Sequence, residues 1–311
     1  MFKPYCGNPH FGWHSHDGYA NFGFKAIAAN GQQLQKYGDR DLYKVTKNHA
    51  LARQQLDYRV ALIQSFAVQK AGNAIAECED LWDYVDRDRQ ISIALSDGAT
   101  ESSFAREWSK ELVTAFVNCD HRNLQDPHGK KSWLLPLQQK WQTWLVNQNL
   151  SWFAKRKASE GAFATFLSLE IFPDLSWQAF AVGDSCLFVV RDCSTDQNLQ
   201  NLNAQKLQSS FPLQNSQEFN HRPRLISTHT DVANMQINQI NGIVELGDRF
   251  YLTTDAIACW IFKQLEAKQN PWVKLGEISS QDEFANWVNE LRDRHEIAND
   301  DTTLLCLEIK R

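Results

Sequence analysis

Three β-rich runs follow one another between residues 163 and 192, with almost no chain between them. They read FATFLSLEIF, WQAFAVGD and CLFVVRD. Two strands can lie parallel in a sheet only when a crossover of about a dozen residues or more joins them. The gaps here are too short for such a crossover. We therefore expect these runs to pair antiparallel, as a meander.

The rest of the chain alternates further strand and helix patterns. The strand patterns cover residues 59–69, 90–96, 249–254 and 302–310. Helical spacing of apolar residues covers residues 104–116, 133–148, 256–267 and 282–294. Residues 194–224 are rich in Asn, Gln and Ser with little periodicity, which predicts a long loop or flap. Strands grouped in meanders with helices between them indicate an α+β fold with antiparallel sheets covered by helices.

Composition excludes several classes of protein. A formal net charge of −5 gives no electrostatic footprint for nucleic acid. Seven Cys without a Cys-x-x-Cys pair favour a reducing compartment over a disulfide framework. The N-terminus lacks a signal-peptide pattern, and no apolar run approaches the ~20 residues that cross a bilayer. We expect a soluble, cytoplasmic protein without nucleic-acid or membrane partners.

Residues 1–58 differ from the remainder of the chain. They combine an alternating stretch, an Asn30-Gly31 turn signal and a long polar segment. A segment of this length rarely supports a core of its own. We predict an N-terminal extension over residues 1–58 that packs on a main domain over residues 59–311.

Carboxylates recur where the apolar strands begin or end. Asp97 follows ISIALS, Asp184 closes AFAVGD and Asp255 closes FYLTTD. Glu79-Asp80 and Asp300-Asp301 flank two further strand patterns. A lone Asp at such a position is usually a turn former, but a shared cluster of them is costly without a cation. Oxygen ligands of this kind suit Mg²⁺ or Mn²⁺.

Taken in order, these segments resemble the protein phosphatase 2C family of metal-dependent Ser/Thr phosphatases. The resemblance covers residues 60–310 and implies an α-β-β-α sandwich, with two antiparallel sheets flanked by helices. The matching segments are Cys78-Glu79-Asp80, Ser96-Asp97-Gly98, Gly161 to Thr165, Val182 to Ser185, Leu246 to Phe250 running into Thr253-Thr254-Asp255, and Asp300 to Thr303.

The resemblance also implies a metal-ligand set. Asp97 would bridge two Mn²⁺ or Mg²⁺ ions, and the backbone carbonyl of Gly98 would bind one of them. Asp255 and Asp300 would complete the first ion. Glu79 would hold the second, largely through water.

The resemblance gives roles to two more carboxylates. Asp80 would orient the second ion's ligands by hydrogen bonding, and Asp184 would bind a third, weaker ion that it shares with Asp255. Two cations about 3.5–4 Å apart activate a bridging water for in-line attack on a phosphoryl group. The implied activity is hydrolysis of phosphoserine and phosphothreonine in a phosphorylated protein substrate, as in signalling.

Three positions depart from the family pattern. The usual phosphate-binding Arg is replaced by Ile75. Lys70, the nearest basic residue upstream, is our candidate catalytic substitute for it, although an ammonium lacks the bidentate fork of Arg. Ala99 stands where some members carry a His, and Ala256 replaces a Gly. These departures leave two alternatives open: a weak or inactive phosphatase-like module that binds or regulates partners, and a small-molecule phosphoesterase.

Overall fold

The computed structural model describes residues 35–37, 42–44, 59–87, 90–118, 123–192, 205–220 and 222–310. The chain separates into two units, Met1–Leu56 and Asp57–Arg311. In the first unit, β1 (Gln35–Tyr37) pairs antiparallel with β2 (Leu42–Lys44). The predicted packing of residues 1–58 on the main domain lies outside the described residues.

The second unit holds the strands and helices that build the site. Its strands are β3 (Arg59–Val68), β4 (Leu81–Arg87), β5 (Gln90–Ser96), β6 (Phe163–Ala164), β7 (Phe166–Ile171), β8 (Ser176–Val182), β9 (Cys186–Asp192), β10 (Gln205–Phe211), β11 (Ile226–Ser227), β12 (Asn238–Ile243), β13 (Asp248–Thr253) and β14 (Thr302–Lys310). Its helices are α1 (Ala105–Asn118), α2 (Pro127–Val146), α3 (Trp152–Ser159), α4 (Asp255–Glu266), α5 (Pro271–Glu277) and α6 (Gln281–Asp293).

Two five-stranded antiparallel sheets form the centre of this unit. The first sheet has the order β10-β9-β13-β14-β3, and the second has the order β12-β8-β7-β5-β4. The predicted meander is confirmed for β7 and β8, which pair antiparallel. It is wrong for β9, which pairs with β10 and β13 in the other sheet. The turn between β8 and β9 therefore carries the chain from one sheet to the other.

Three apolar clusters hold four layers together. Between the sheets, Ile93 and Leu95 of β5 share one cluster with Phe250 and Leu252 of β13. A second cluster joins the outer face of the first sheet to α4, α5 and α6. The third joins the outer face of the second sheet to α1 and α2. The predicted α-β-β-α sandwich is confirmed.

The sequence of strand β5 fits its position between the other sheet and the helices. Ile91, Ile93 and Leu95 alternate into the cluster between the sheets, whereas Ala94 packs toward α1 and α2. Both faces of this central strand are buried. The larger apolar residues of QISIALS face the other sheet, and the small residues Ser92, Ala94 and Ser96 are buried on the opposite face.

Two sequence predictions need correction. The helix predicted from residue 133 begins at Pro127, because Asp126 caps it by accepting hydrogen bonds from the backbone N–H groups of His128 and Gly129. An Asp followed by Pro is a strong helix-start signal. The loop predicted for residues 194–224 is wrong for Gln205–Phe211, which forms β10. These residues form a strand because their backbone pairs with β9, although their side chains show no alternation of apolar and polar residues.

Within the described parts of the chain, no helix combines the length and the apolar content that crossing a bilayer requires.

The buried Trp108 of α1 provides a test of the helix-covered sheet. Its ring is fully buried, and its Nε1 donates to the backbone carbonyl of Ile226 at 3.0 Å. We predict that Trp108→Phe lowers the free energy of unfolding by about 1–3 kcal/mol, because a buried acceptor loses its donor. Trp152→Phe, at a ring that is 75% exposed, serves as the control and should change it by less than about 0.5 kcal/mol. Chemical denaturation measures both, and equal effects would contradict the packing described.

Candidate metal centre

The carboxylates predicted from the sequence lie at one end of the sandwich. Leu81, the first residue of β4, pairs with Ser96, the last residue of β5, so Asp80 lies beside Asp97. In the first sheet, the last residues of β13 pair with the first residues of β14. Asp255, the first residue of α4, and Asp300, which precedes β14, therefore lie at neighbouring strand ends.

Hydrogen bonds join the two sheets at this end. The Thr254 hydroxyl donates to Asp80 Oδ2 at 3.0 Å and accepts from the backbone N–H of Thr303, also at 3.0 Å. Thr254 follows β13 and Thr303 lies in β14, whereas Asp80 precedes β4 of the other sheet. The side chain of Asp80 is thus fixed by the opposite sheet, and its position relative to the strand ends is set.

Asp301 makes a second connection, which the sequence had not assigned to any role. Its carboxylate accepts from the backbone N–H of Glu79 at 2.6 Å and from the backbone N–H of Lys70 at 2.7 Å. Asp301 therefore holds the segments that carry Lys70 and Glu79 against the start of β14. The Asp300-Asp301 pair was visible in the sequence, but only the structure separates the two roles.

Glycine is required where Asp97 passes Glu79. A Cβ at Gly98 would lie 2.9 Å from the Ala105 Cβ and 3.0 Å from the Glu79 Cβ. The backbone N–H of Gly98 also donates to the Glu79 carbonyl at 3.3 Å. The Asp-Gly pair that predicted a strand end in the sequence therefore also permits two acidic segments to approach closely.

A second glycine positions Asp184. Gly183 has a φ of +108°, and a Cβ there would lie 2.7 Å from the Thr165 Cγ2. The Thr165 hydroxyl accepts from the backbone N–H of Asp97 at 3.0 Å and lies 2.9 Å from the Ser185 hydroxyl. The turn that moves the chain between the sheets thus packs directly against the residue that supports Asp97.

The electrostatic interactions of these side chains show that they form one negative cluster. Burial, with the charges of Asp80 and Asp255 next in size, raises the pKa of Asp97 well above its usual range. Burial and the charges of Asp184 and Asp300 raise the pKa of Asp255 to about 7. Burial and the charge of Asp300 raise the pKa of Asp184 to about 6. Each carboxylate makes ionisation of the others less favourable.

The pKa of Glu79 is also raised, first by burial and then by Asp301 and Asp300, while a hydrogen bond from Thr100 opposes the shift. Among the described residues, no three acidic, His or Cys side chains are already gathered tightly enough to form a complete metal-binding group. The predicted ligands therefore lie at the same end of the sandwich, but their side chains do not surround one common position.

The donor set nonetheless fits a divalent cation. Asp80 Oδ1 and Asp255 Oδ1 are buried and have no hydrogen-bond partner among the described residues. A buried carboxylate oxygen without a partner is strongly unfavourable. Hard cations such as Mg²⁺ and Mn²⁺ bind oxygen ligands of this type. The unpartnered oxygens belong to the same cluster of buried carboxylates. A cation bound there would supply a partner for these oxygens and would reduce the repulsion between the carboxylates.

Comparison with known proteins identifies the family to which the chain belongs. A family model described as Protein phosphatase 2C matches residues 73–303. The chain belongs to the protein phosphatase 2C family. No curated protein is significantly similar to the sequence.

Solved structures of phosphatases share the fold of this protein phosphatase 2C member. Serine/threonine phosphatase Stp1 from Staphylococcus aureus has a TM-score of 0.52 and 14% identity, covering 86% of this chain and all (100%) of its own. A bacterial serine phosphatase has a TM-score of 0.52 and 13% identity, covering 79% of this chain and 97% of its own. Identities this low show likeness of fold alone.

The structure places the departures from the protein phosphatase 2C pattern. Ile75, at the position of the usual Arg, is 78% exposed in a 3₁₀ turn, Ile75–Glu77. The Lys70 Nζ lies 4.0 Å from Asp300 Oδ1. Ala256 is the second residue of α4 and is not among the described residues with positive φ. The methyl group that replaces the family's Gly is therefore accommodated by a regular helix start.

A buried arginine supports Asp300 from α6. Arg292 donates through Nη2 to the Asp300 carbonyl at 2.6 Å and through Nη1 to the Gln69 carbonyl at 3.0 Å. It thereby holds together the two segments that carry Asp300 and Lys70. Sequence reasoning missed this residue, because an Arg on an amphipathic helix is ordinarily solvent-exposed.

The charge cluster predicts a stability effect of Asp97→Asn. Without metal, we expect this variant to raise the melting temperature by about 2–4 °C per kcal/mol of relieved repulsion. It should also lose most of the increase that Mn²⁺ gives the parent protein. Differential scanning fluorimetry in EDTA and in MnCl₂ measures both. Asp86→Asn, at an exposed position of β4, is the control. A metal-free Asp97→Asn protein that melts below the parent would contradict the cluster.

Arg292 predicts a change in metal affinity. We expect Arg292→Lys to weaken Mn²⁺ binding about 10–100-fold, as is typical when a support of a metal ligand is lost. The exposed Arg294→Lys at the end of the same helix should leave affinity unchanged. Isothermal titration with Mn²⁺ compares them. Equal affinities of parent and Arg292→Lys would show that Arg292 serves stability alone.

Proposed function

We propose that this protein hydrolyses phosphoserine and phosphothreonine in phosphorylated proteins, with Mg²⁺ or Mn²⁺ bound at the carboxylate end of the sandwich. The observation that carries the proposal is the convergence of buried acidic side chains from both sheets, with two carboxylate oxygens left unpartnered. Membership of the protein phosphatase 2C family supports the reaction class.

The residues at this end have the chemistry to hold two cations. The charges of Asp80, from the same sheet, and of Asp255, from the other sheet, both raise the pKa of Asp97. We assign it as the shared ligand, with the Gly98 carbonyl beside it. Asp255 and Asp300 would complete one ion and Glu79 the other. When bound, two such ions lower the pKa of a water between them and neutralise charge on the phosphoryl oxygens.

The remaining acidic residues have supporting roles. Asp80, fixed by the Thr254 hydroxyl, orients the ligands around Glu79. Asp184 lies close enough to raise the pKa of Asp255 and would bind a third ion with it. Neither residue is required to contact substrate.

Lys70 is a basic side chain that lies beside Asp300, one of the predicted ligands. Its ammonium group is partly exposed and lies near Asp300. We assign it the contact with a substrate phosphate that an Arg makes elsewhere in the family. As a point charge it neutralises phosphate without the two-pronged geometry of a guanidinium. Ala99 supplies no proton, so water protonates the leaving group.

The described cysteines oppose a covalent thiol mechanism. Burial, with Asp80 and Asp301 next in size, raises the pKa of Cys78 to about 12. Burial also raises the pKa of Cys306 to about 12. The thiolate is the nucleophile in cysteine catalysis, so these groups are unreactive near neutral pH. The described free cysteines also fit the reducing cytoplasm that we propose as the location.

A second candidate function is a phosphatase-like module that binds phosphorylated partners without turnover. The exposed Ile75 in place of the phosphate-binding Arg favours it. A small-molecule phosphoesterase is the third candidate. Activity toward phosphopeptides, p-nitrophenyl phosphate and nucleotides, each with Mn²⁺, separates the three.

The metal ligands give a graded prediction for activity. Asp97→Asn should reduce Mn²⁺-dependent phosphopeptide hydrolysis by at least about 10³-fold, because one side chain serves both ions and metal chemistry supplies several kcal/mol. Asp184→Asn should reduce it less. Phosphate release with a phosphothreonine peptide measures both.

The controls for this prediction are EDTA, which should abolish turnover by the parent, and Asp86→Asn, which should leave it unchanged. Equal rates for Asp97→Asn and the parent would refute the ligand assignment. A parent that binds Mn²⁺ but releases no phosphate from any substrate would favour the binding module.

A further inference from the structure

A cavity of about 240 Å³ opens beside the chain segment that follows Asp97 and Gly98. Ala99, Glu101, Lys157, Glu160, Phe163 and Leu225 are among its lining residues. Its volume is below the roughly 300–1,000 Å³ of pockets that take drug-sized ligands. The cavity therefore matches a single side chain better than a whole small molecule.

The walls of this cavity are fixed by hydrogen bonds. The backbone N–H of Ala99 donates to the Phe163 carbonyl at 2.9 Å. The Ser102 hydroxyl accepts from the backbone N–H of Phe163 at 3.2 Å and donates to the Ala99 carbonyl at 2.9 Å. The segment after Gly98 is thus tied to β6, and the cavity is part of the built structure rather than a gap between loops.

The cavity adjoins the candidate metal centre. Ala99 is two residues from Asp97, so their Cα atoms are at most about 7 Å apart. An extended peptide advances about 3.3–3.6 Å per residue. A peptide whose phosphorylated residue lies at Asp97 would bring a side chain one to three positions away to this cavity.

The chemistry of the lining selects the type of side chain. Phe163 and Leu225 are partly buried and give an apolar floor, while Glu101, Glu160 and Lys157 are exposed at the rim. Two carboxylates and one ammonium leave a net negative charge. A long aliphatic stem with a cationic head matches an apolar floor under an acidic rim, and a guanidinium can also stack on an aromatic face.

We propose that this cavity is a subsite for an Arg or Lys within three residues of the phosphorylated residue, so that the protein prefers basic phosphopeptides. The predicted preference in hydrolysis rests on the proposed phosphatase function. The site itself is one of binding, and its selectivity can be measured without turnover.

The test uses two phosphothreonine peptides that differ only in Arg or Ala two residues from the phosphothreonine. We expect the parent to favour the Arg peptide about fivefold in kcat/KM, the ratio expected of one exposed ion pair. The double variant Glu101→Gln/Glu160→Gln should lose this preference. Glu107→Gln, at an exposed position of α1 outside the cavity, should keep it. Hydrolysis of p-nitrophenyl phosphate should be the same in all three proteins.

The same peptides with a fluorescent label separate failure of the subsite from failure of the proposed function. Absence of p-nitrophenyl phosphate hydrolysis with Mn²⁺ refutes the function, and the subsite is then judged by fluorescence anisotropy, where the Arg peptide should bind the parent more tightly than the Ala peptide. Equal binding and hydrolysis of the two peptides by the parent overturns the subsite. A preference that survives in the double variant overturns it as well.

Discussion

Negative charge concentrated at one end of the sandwich is the constraint on which the rest of the structure depends. Asp97, Asp184, Asp255 and Asp300 come from four separate strand ends. Burial and the charges of neighbouring carboxylates raise the pKa values of Asp97, Asp184 and Asp255. Such an arrangement lowers the stability of the metal-free fold. The hydrophobic layers between and around the sheets must offset this cost, and a bound cation would remove most of it.

The two sheets depend on each other at this end. Asp80 of one sheet is held by Thr254 of the other, and Asp301 holds the backbone before β4 from the start of β14. Both contacts are made by carboxylates that accept hydrogen bonds, so each serves packing and electrostatics together. The apolar cluster between the sheets sets their separation, and these polar contacts set their relative position at the site.

Two of the three departures from the family pattern fall where substrate contacts are expected, and the third, Ala256, directly follows the predicted ligand Asp255. Every predicted ligand position keeps its oxygen donor, and Ala256 is accommodated by the start of α4. Ile75 and Ala99, by contrast, are positions where substrate contacts are expected. We therefore propose that the protein keeps the family's metal ligands but recognises phosphorylated partners differently, in line with the subsite proposed beside Ala99.

The sequence alone determined the antiparallel character of the fold, the closing strand at residues 302–310 and the acidic residues at strand ends, because each depends on local spacing and on alternation of apolar side chains. Only the tertiary structure decided that β9 joins the other sheet, that Gln205–Phe211 becomes a strand, and that Asp301 and Arg292 support the centre. These features arise from backbone groups and side chains distant in sequence, whose partners leave no periodic signal. The sequence shows that a buried polar side chain needs a hydrogen-bond partner, but only the folded structure shows which residue provides it.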